Sequence, residues 1–141
     1  MAKIKILPAD TWFSKCVRHS KNWTCELCGR FYPEGLTTGK AQGLDCSHIF
    51  GRRHRSVRWY SGNAQALCMS CHNWYHEEPT ESGIWIVETL GKKNYEKLVE
   101  KKNTIIKISK KDEKEISKHY IQEYRRMVKD GSFVFKNWEG I

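Results

Sequence analysis

Two Cys-x-x-Cys pairs, Cys25/Cys28 and Cys68/Cys71, constrain this chain more than any other feature. Thiolates two residues apart share one face of a tight knuckle, and two knuckles complete a tetrahedral site for one structural zinc. Such an ion joins segments that are distant in sequence, and backbone amides of the knuckles can hydrogen-bond the thiolates. It also replaces apolar burial that a small module lacks. The expected fold class is therefore α+β, with a small zinc-stabilised core. Residues 23–79, Gly-rich and irregular, have their backbone set by metal geometry. Cys16 and Cys46 remain over; Cys16 is expected to be a packing residue. Cys46, two before His48 on a strand, is expected beneath the site.

A chain of 141 residues suits one compact domain, or a small domain with a helical extension. Formal net charge is +9 and the sequence pI is about 9.3, which points to a polyanionic partner. Met1 to Leu7 is short and lysine-bearing, with no apolar signal core behind it. No apolar run approaches the roughly 20 residues needed to span a bilayer. These features lead us to expect a cytoplasmic protein with no membrane partner, its cysteines ligating as thiolates rather than forming disulfides.

Three parts separate along the chain. Asp10 to Ser20 places Trp12, Phe13, Cys16 and Val17 at helical spacing, with Asp10 or Thr11 as cap, and is expected to pack on the knuckle. Within the central part, residues 35–40 read as a loop, Leu44 to Phe50 as a strand and Cys68 to Glu77 as a helix ending near Pro79. Residues 1–79 thus form an N-terminal helix plus metal-bound core. Residues 80–141 form a basic helical extension, with 14 Lys/Arg against 8 Asp/Glu from residue 92 onward. Gly83 to Leu90 and Asn94 to Lys102 read as short helices. Ser109 to Asp112 caps a longer helix that runs to about Asp130 and stops at Gly131. Ile116, Tyr120, Tyr124 and Met127, joined by Ile121 and Val128, form one apolar stripe, for core or dimer packing.

The polar residues inside the metal module carry the chemistry. Asn63 follows His48 by fifteen residues, His72 follows Asn63 by nine, and His76 follows His72 by four. A neutral histidine can take a proton from water near pH 7, and an Asn carbonyl can hold it in the useful tautomer. His72 and His76 at i, i+4 face the same way on a helix, which is ligand spacing for one divalent ion, and Asp45 can add a carboxylate. Phosphodiester hydrolysis needs such parts: an activated water, a cation on the phosphate and a stabilised leaving oxygen. Arg52, Arg53, Arg55 and Arg58, followed by Trp59 and Tyr60, read either as a phosphate clamp or as an exposed basic loop with Trp59 in the core.

This His, Asn, His, His order resembles the HNH, or ββα-metal, endonucleases, and the two Cys pairs resemble their zinc-bearing branch. Leu44 to His48, the stretch from Arg58-Trp59 to Asn63, and the helical region from Leu90-Gly91 to Tyr124 are similar to the phage lambda-type NinG/Rap recombination endonucleases. The resemblance covers about residues 20–128. It implies His48 as general base, Asn63 as the residue that orients it, and His72 as ligand of a catalytic Mg²⁺ or Mn²⁺. Asp45 would be a second ligand and His76 a further candidate. Most members carry the metal-binding Asp or His directly before the base, where this chain has Ser47, so a twist or bulge would have to bring Asp45 to the ion.

The resulting expectation is a metal-dependent DNA endonuclease acting on branched recombination intermediates, in a bacterial host cell if phage-encoded. A homodimer through the stripe of residues 112–130 would suit paired cuts. Two alternatives stand beside it: a sequence-specific restriction-type nuclease on the same core, and a zinc-knuckle DNA-binding module without catalysis.

Overall fold

A computed structural model describes residues 4–33 and 43–140 of the chain. These form five α-helices and one two-stranded antiparallel sheet. Helix α1 spans Pro8–Ser20, strand β1 Leu44–His48 and strand β2 Ala64–Cys68. Helices α2 (Met69–Glu77), α3 (Pro79–Leu90), α4 (Lys92–Asn103) and α5 (Lys110–Asp130) follow. The loop expected at residues 35–40 lies outside the described residues. Among the described residues, no helix is long and apolar enough to cross a membrane.

Local chemistry accounts for most element ends, with two corrections. Helix α1 begins earlier than expected because Pro8 takes the first helical position, where its missing N–H costs nothing. Asp10 is not the cap residue: from inside the first turn, its Oδ2 accepts from the Leu7 N–H at 2.8 Å. Pro79 likewise opens α3 rather than only closing α2, so that helix starts four residues before Gly83. Ser82, buried, anchors the junction by donating to the Tyr75 and Pro79 carbonyls at 2.9 and 3.3 Å. Helix α5 has the expected ends. Ser109 Oγ accepts from Asp112 N at 3.0 Å and Asp112 answers by accepting from Ser109 N. Gly131 closes it at φ 69°, a left-handed conformation that glycine adopts without penalty.

The stripe on α5 is consumed inside the molecule. Ile116, Tyr120 and Met127 are fully buried and Tyr124 nearly so, chiefly against α1. Phe13 and Tyr120 meet edge to face with centroids 5.1 Å apart, and Trp12 tilts on Tyr124 at 5.9 Å. The face therefore does not supply the expected dimer contact; Val128 stays exposed beside it. Helix α1 packs between α5 and the ribbon, and Cys25 of the first knuckle belongs to the same hydrophobic cluster. One hydrophobic cluster runs from Ala9 and Phe13 through Leu67 to Tyr120 and Met127, so the core crosses the expected division at residue 79.

Candidate functional site

The cysteine site is built from a turn that precedes the ribbon and from the one end of the ribbon at which β2 runs into α2. The first knuckle is a turn in which Gly29, at φ 77°, donates to the Cys25 carbonyl at 3.0 Å while Cys25 N–H donates to Arg30. Glu26 clips it to β2: Glu26 N–H donates to the Ala66 carbonyl, and Ala66 N–H donates to Glu26 Oε2 at 2.6 Å. Cys68 ends β2 as the N-cap of α2, and Cys71 lies in the first turn of that helix. Ligand sulfurs of Cys25, Cys28, Cys68 and Cys71 all lie within 4.8 Å of one another. A tetrahedron with metal–sulfur bonds of about 2.3 Å has edges of about 3.8 Å, and Cys28 Sγ is 3.8 Å from Cys68 Sγ. The four cysteines can therefore hold a metal ion.

Their thiols are poised unequally. Burial pushes the Cys68 thiol up, but hydrogen bonds from the Cys71 backbone N–H and the Tyr32 hydroxyl outweigh it and bring the group down to about 7. Burial raises Cys28 and Cys71, and their sulfur neighbours raise them further. Four thiolates this close need a cation among them. Cys16 and Cys46 stand apart, each raised by burial to about 12, which makes them inert packing thiols.

Strands β1 and β2 pair in regular register from Leu44↔Cys68 to His48↔Ala64, with no bulge. Strict alternation therefore puts Asp45 and Ser47 on one face and Cys46 and His48 on the other. His48 Nε2 lies 3.3 Å from the Arg58 carbonyl oxygen. A carbonyl only accepts, so Nε2 carries the ring proton and Nδ1 keeps its lone pair. Burial, then the Arg52 charge, lower the pKa of His48 to about 4 against the opposing pull of the Arg58 carbonyl and Asp10. The ring is neutral at physiological pH and leans on Phe13, centroids 6.2 Å apart.

Asn63 does not touch His48 in the expected way. Fully buried, it spends its side chain on the loop between the strands: Oδ1 accepts from Phe50 N at 2.8 Å, and Nδ2 donates to the Phe50 and Val57 carbonyls at 2.8 and 3.2 Å. It holds the loop whose next carbonyl, that of Arg58, meets the His48 ring.

Helix α2 brings a second group together. Asp45 Oδ2 is 3.1 Å from His72 Nδ1, and His76 Nε2 is 3.1 Å from His72 Nε2. Asp45 thus meets one ring nitrogen of His72 and His76 the other. The carboxylate occupies the place of a partner that orients His72, while the two Nε2 atoms lie within hydrogen-bonding distance of each other. Two ligand nitrogens at right angles, with bonds of about 2.1 Å, lie about 3 Å apart.

The arginines divide. Arg58 is buried and is no phosphate contact: its guanidinium pairs with Asp10 at 2.6 Å. Arg52 lies 3.7 Å from the same carboxylate, and Arg55 pairs with Glu113 of α5 at 2.8 Å. Arg53 is exposed, its Nε donating to His54 Nε2 at 3.3 Å. Sequence reasoning missed the other wall beside this loop, the end of α4. Lys101 Nζ lies 5.1 Å from the Tyr60 ring centroid and Lys102 Nζ 5.0 Å from that of Phe50. A cleft of about 240 Å³ opens there, lined by Arg53, Arg55, Lys102 and His54 and by no carboxylate. The run of lysines in α4 was visible in the sequence, but nothing in its spacing linked it to a loop forty residues earlier. Trp59 is core, as expected. No family model, no curated protein and no solved structure matches the chain.

Proposed function

We propose that this protein is a zinc-stabilised, metal-dependent DNA endonuclease of the HNH type. One observation carries the reading. His48 is a half-buried neutral histidine held as the Nε2–H tautomer by a backbone carbonyl, on a ribbon whose next element, α2, brings the Nε2 atoms of His72 and His76 within 3.1 Å of each other. The order β1, β2, α2, with the four cysteines at the end of the ribbon away from His48, supports the ββα reading that the sequence resemblance implies. Zinc suits the four thiolates by ligand type and edge length.

His48 Nδ1 takes a proton from the attacking water, and the Arg58 carbonyl stabilises the positive ring that results. Asp45 holds His72 in the tautomer that leaves Nε2 unprotonated, as carboxylate–histidine pairs do behind metal ligands. His72 and His76 would hold Mg²⁺ or Mn²⁺, with water and phosphate oxygens completing its shell; when bound, that ion supplies positive charge to the scissile phosphate and its leaving oxygen. Arg53 and Lys102 contact the DNA backbone at the carboxylate-free cleft, giving affinity without sequence readout. Branched recombination intermediates are the proposed substrates on the strength of the NinG/Rap resemblance.

Labelled linear duplex, single-stranded and four-way-junction DNA, incubated with Mg²⁺ or Mn²⁺ and with EDTA, test the reading beside His48→Ala. Cleavage that needs the divalent ion should fall by about a thousandfold in the variant, with zinc content and DNA affinity retained. Binding without cutting in every condition would identify a zinc-knuckle DNA-binding module instead. Discrete fragments from linear duplex would favour the restriction-type nuclease.

A further inference from the structure

We infer that Asp10, in the first turn of α1, is a positioning residue for His48 and acts through the buried guanidinium of Arg58. The inference rests on the nuclease reading only for its effect on cleavage; its effect on the His48 ring stands on geometry alone.

Asp10 and Arg58 are each 4% exposed. The fork is bidentate: Arg58 Nε donates to Asp10 Oδ1 at 3.0 Å and Nη2 to Oδ2 at 2.6 Å. Nη2 also donates to the Lys5 carbonyl at 2.8 Å, and the guanidinium lies over the Trp59 ring at 4.9 Å. The same carboxylate caps α1 through Leu7 N–H and faces Arg52. One acidic group therefore ties the start of a helix to the side chain of the residue whose carbonyl receives the His48 proton.

The surroundings of that carbonyl argue for position over mere stability. Three successive residues are each pinned by a different element. Asn63 takes the Val57 carbonyl at 3.2 Å, Asp10 takes the Arg58 side chain, and the Tyr120 hydroxyl of α5 donates to the Trp59 carbonyl at 2.6 Å. The Arg58 carbonyl, between them, is left to His48. A buried ion pair contributes little net stability, because desolvating both charges offsets their attraction, and well-packed apolar residues often do as well. What a bidentate fork adds is direction: it fixes the guanidinium plane and, through it, the peptide that follows. Small displacements at a catalytic group are costly in turnover.

The test uses the full-length, zinc-loaded chain and compares Asp10→Asn with wild type and with Ser109→Ala, a capping variant whose own side chain bonds to Asp112 and not to the loop. Long-range proton–nitrogen NMR reads the His48 ring, and DNA cleavage reads kcat and KM separately. Wild type and Ser109→Ala should show His48 as the Nε2–H tautomer alone. Asp10→Asn should show both tautomers in exchange, with kcat reduced about tenfold or more and KM unchanged; Asp10→Glu should recover much of both. A folded Asp10→Asn protein that keeps the single tautomer and wild-type kcat overturns the inference. Should that variant fail to fold, Arg58→Met carries the same test, and an unchanged His48 tautomer in it overturns the inference equally. If the wild type cuts no DNA, the nuclease reading falls while the tautomer measurement still decides the role of Asp10.

Discussion

Asn63 and His48 show how much one side chain decides here. Asn63 is fully buried with three hydrogen bonds to the loop backbone. Asn63→Ala strands the Phe50 N–H and carbonyl, leaves the Val57 carbonyl only the Tyr60 N–H, and should cost roughly 3 kcal/mol of stability in urea unfolding. His48 adds a pH dependence whose sign is fixed. Its folded pKa, lowered by burial and Arg52 to about 4, lies below the 6.5 of an unfolded histidine. The unfolded chain therefore takes up the proton first, so stability is full above pH 6.5 and falls as pH drops toward about 4, by up to about 3 kcal/mol. Urea midpoints across that range should show the decline for wild type and a flatter profile for His48→Gln. An equally steep profile in the variant would assign the decline to other groups.

At the scale of elements, the seam between the Arg-rich loop and α4 is a second place, besides the α1–α5 contact, where the helical extension meets the N-terminal part. Arg53 and Lys102 line one cleft without a carboxylate. If each meets a DNA phosphate, Arg53→Gln and Lys102→Gln should each lower the slope of log affinity against log salt by about 1. Anisotropy titrations from low to moderate salt measure this, and unchanged slopes would remove the seam from the interface. Helix α5 reaches the same loop from the other side. Tyr120 donates to the Trp59 carbonyl at 2.6 Å and accepts from Trp138 N–H at 3.0 Å. Tyr120→Phe should cost about 1–2 kcal/mol, read as a lowered Tm.

For the whole molecule, metal and core answer for different regions. If the four cysteines hold an ion, removing it with a chelator should loosen the first knuckle and the start of α2, leaving Glu26 to clip that turn to β2. One metal per chain by elemental analysis and a loss of ellipticity with EDTA are the expected readings. The α1–α5 pair is a separate requirement. A fragment of residues 1–79 would expose Phe13, Cys16 and Val17, which α5 covers, and should stay unfolded even with zinc added. A folded fragment would show that the core does divide at residue 79.

What the sequence determined by itself is whatever depends on short spacing. The two Cys-x-x-Cys knuckles, the i, i+4 pair His72 and His76, the Ser109 capping box with the Gly131 stop, and the apolar stripe of α5 all appear where their intervals put them, because helix and knuckle geometry repeat over a few residues. Tertiary structure alone decided who meets whom. Asp45 met Nδ1 of His72, Asn63 met the loop rather than the His48 ring, and the stripe met α1. Arg58 turned inward to Asp10, forty-eight residues away. A buried charge takes whichever partner packing brings within reach, and no local interval encodes that choice.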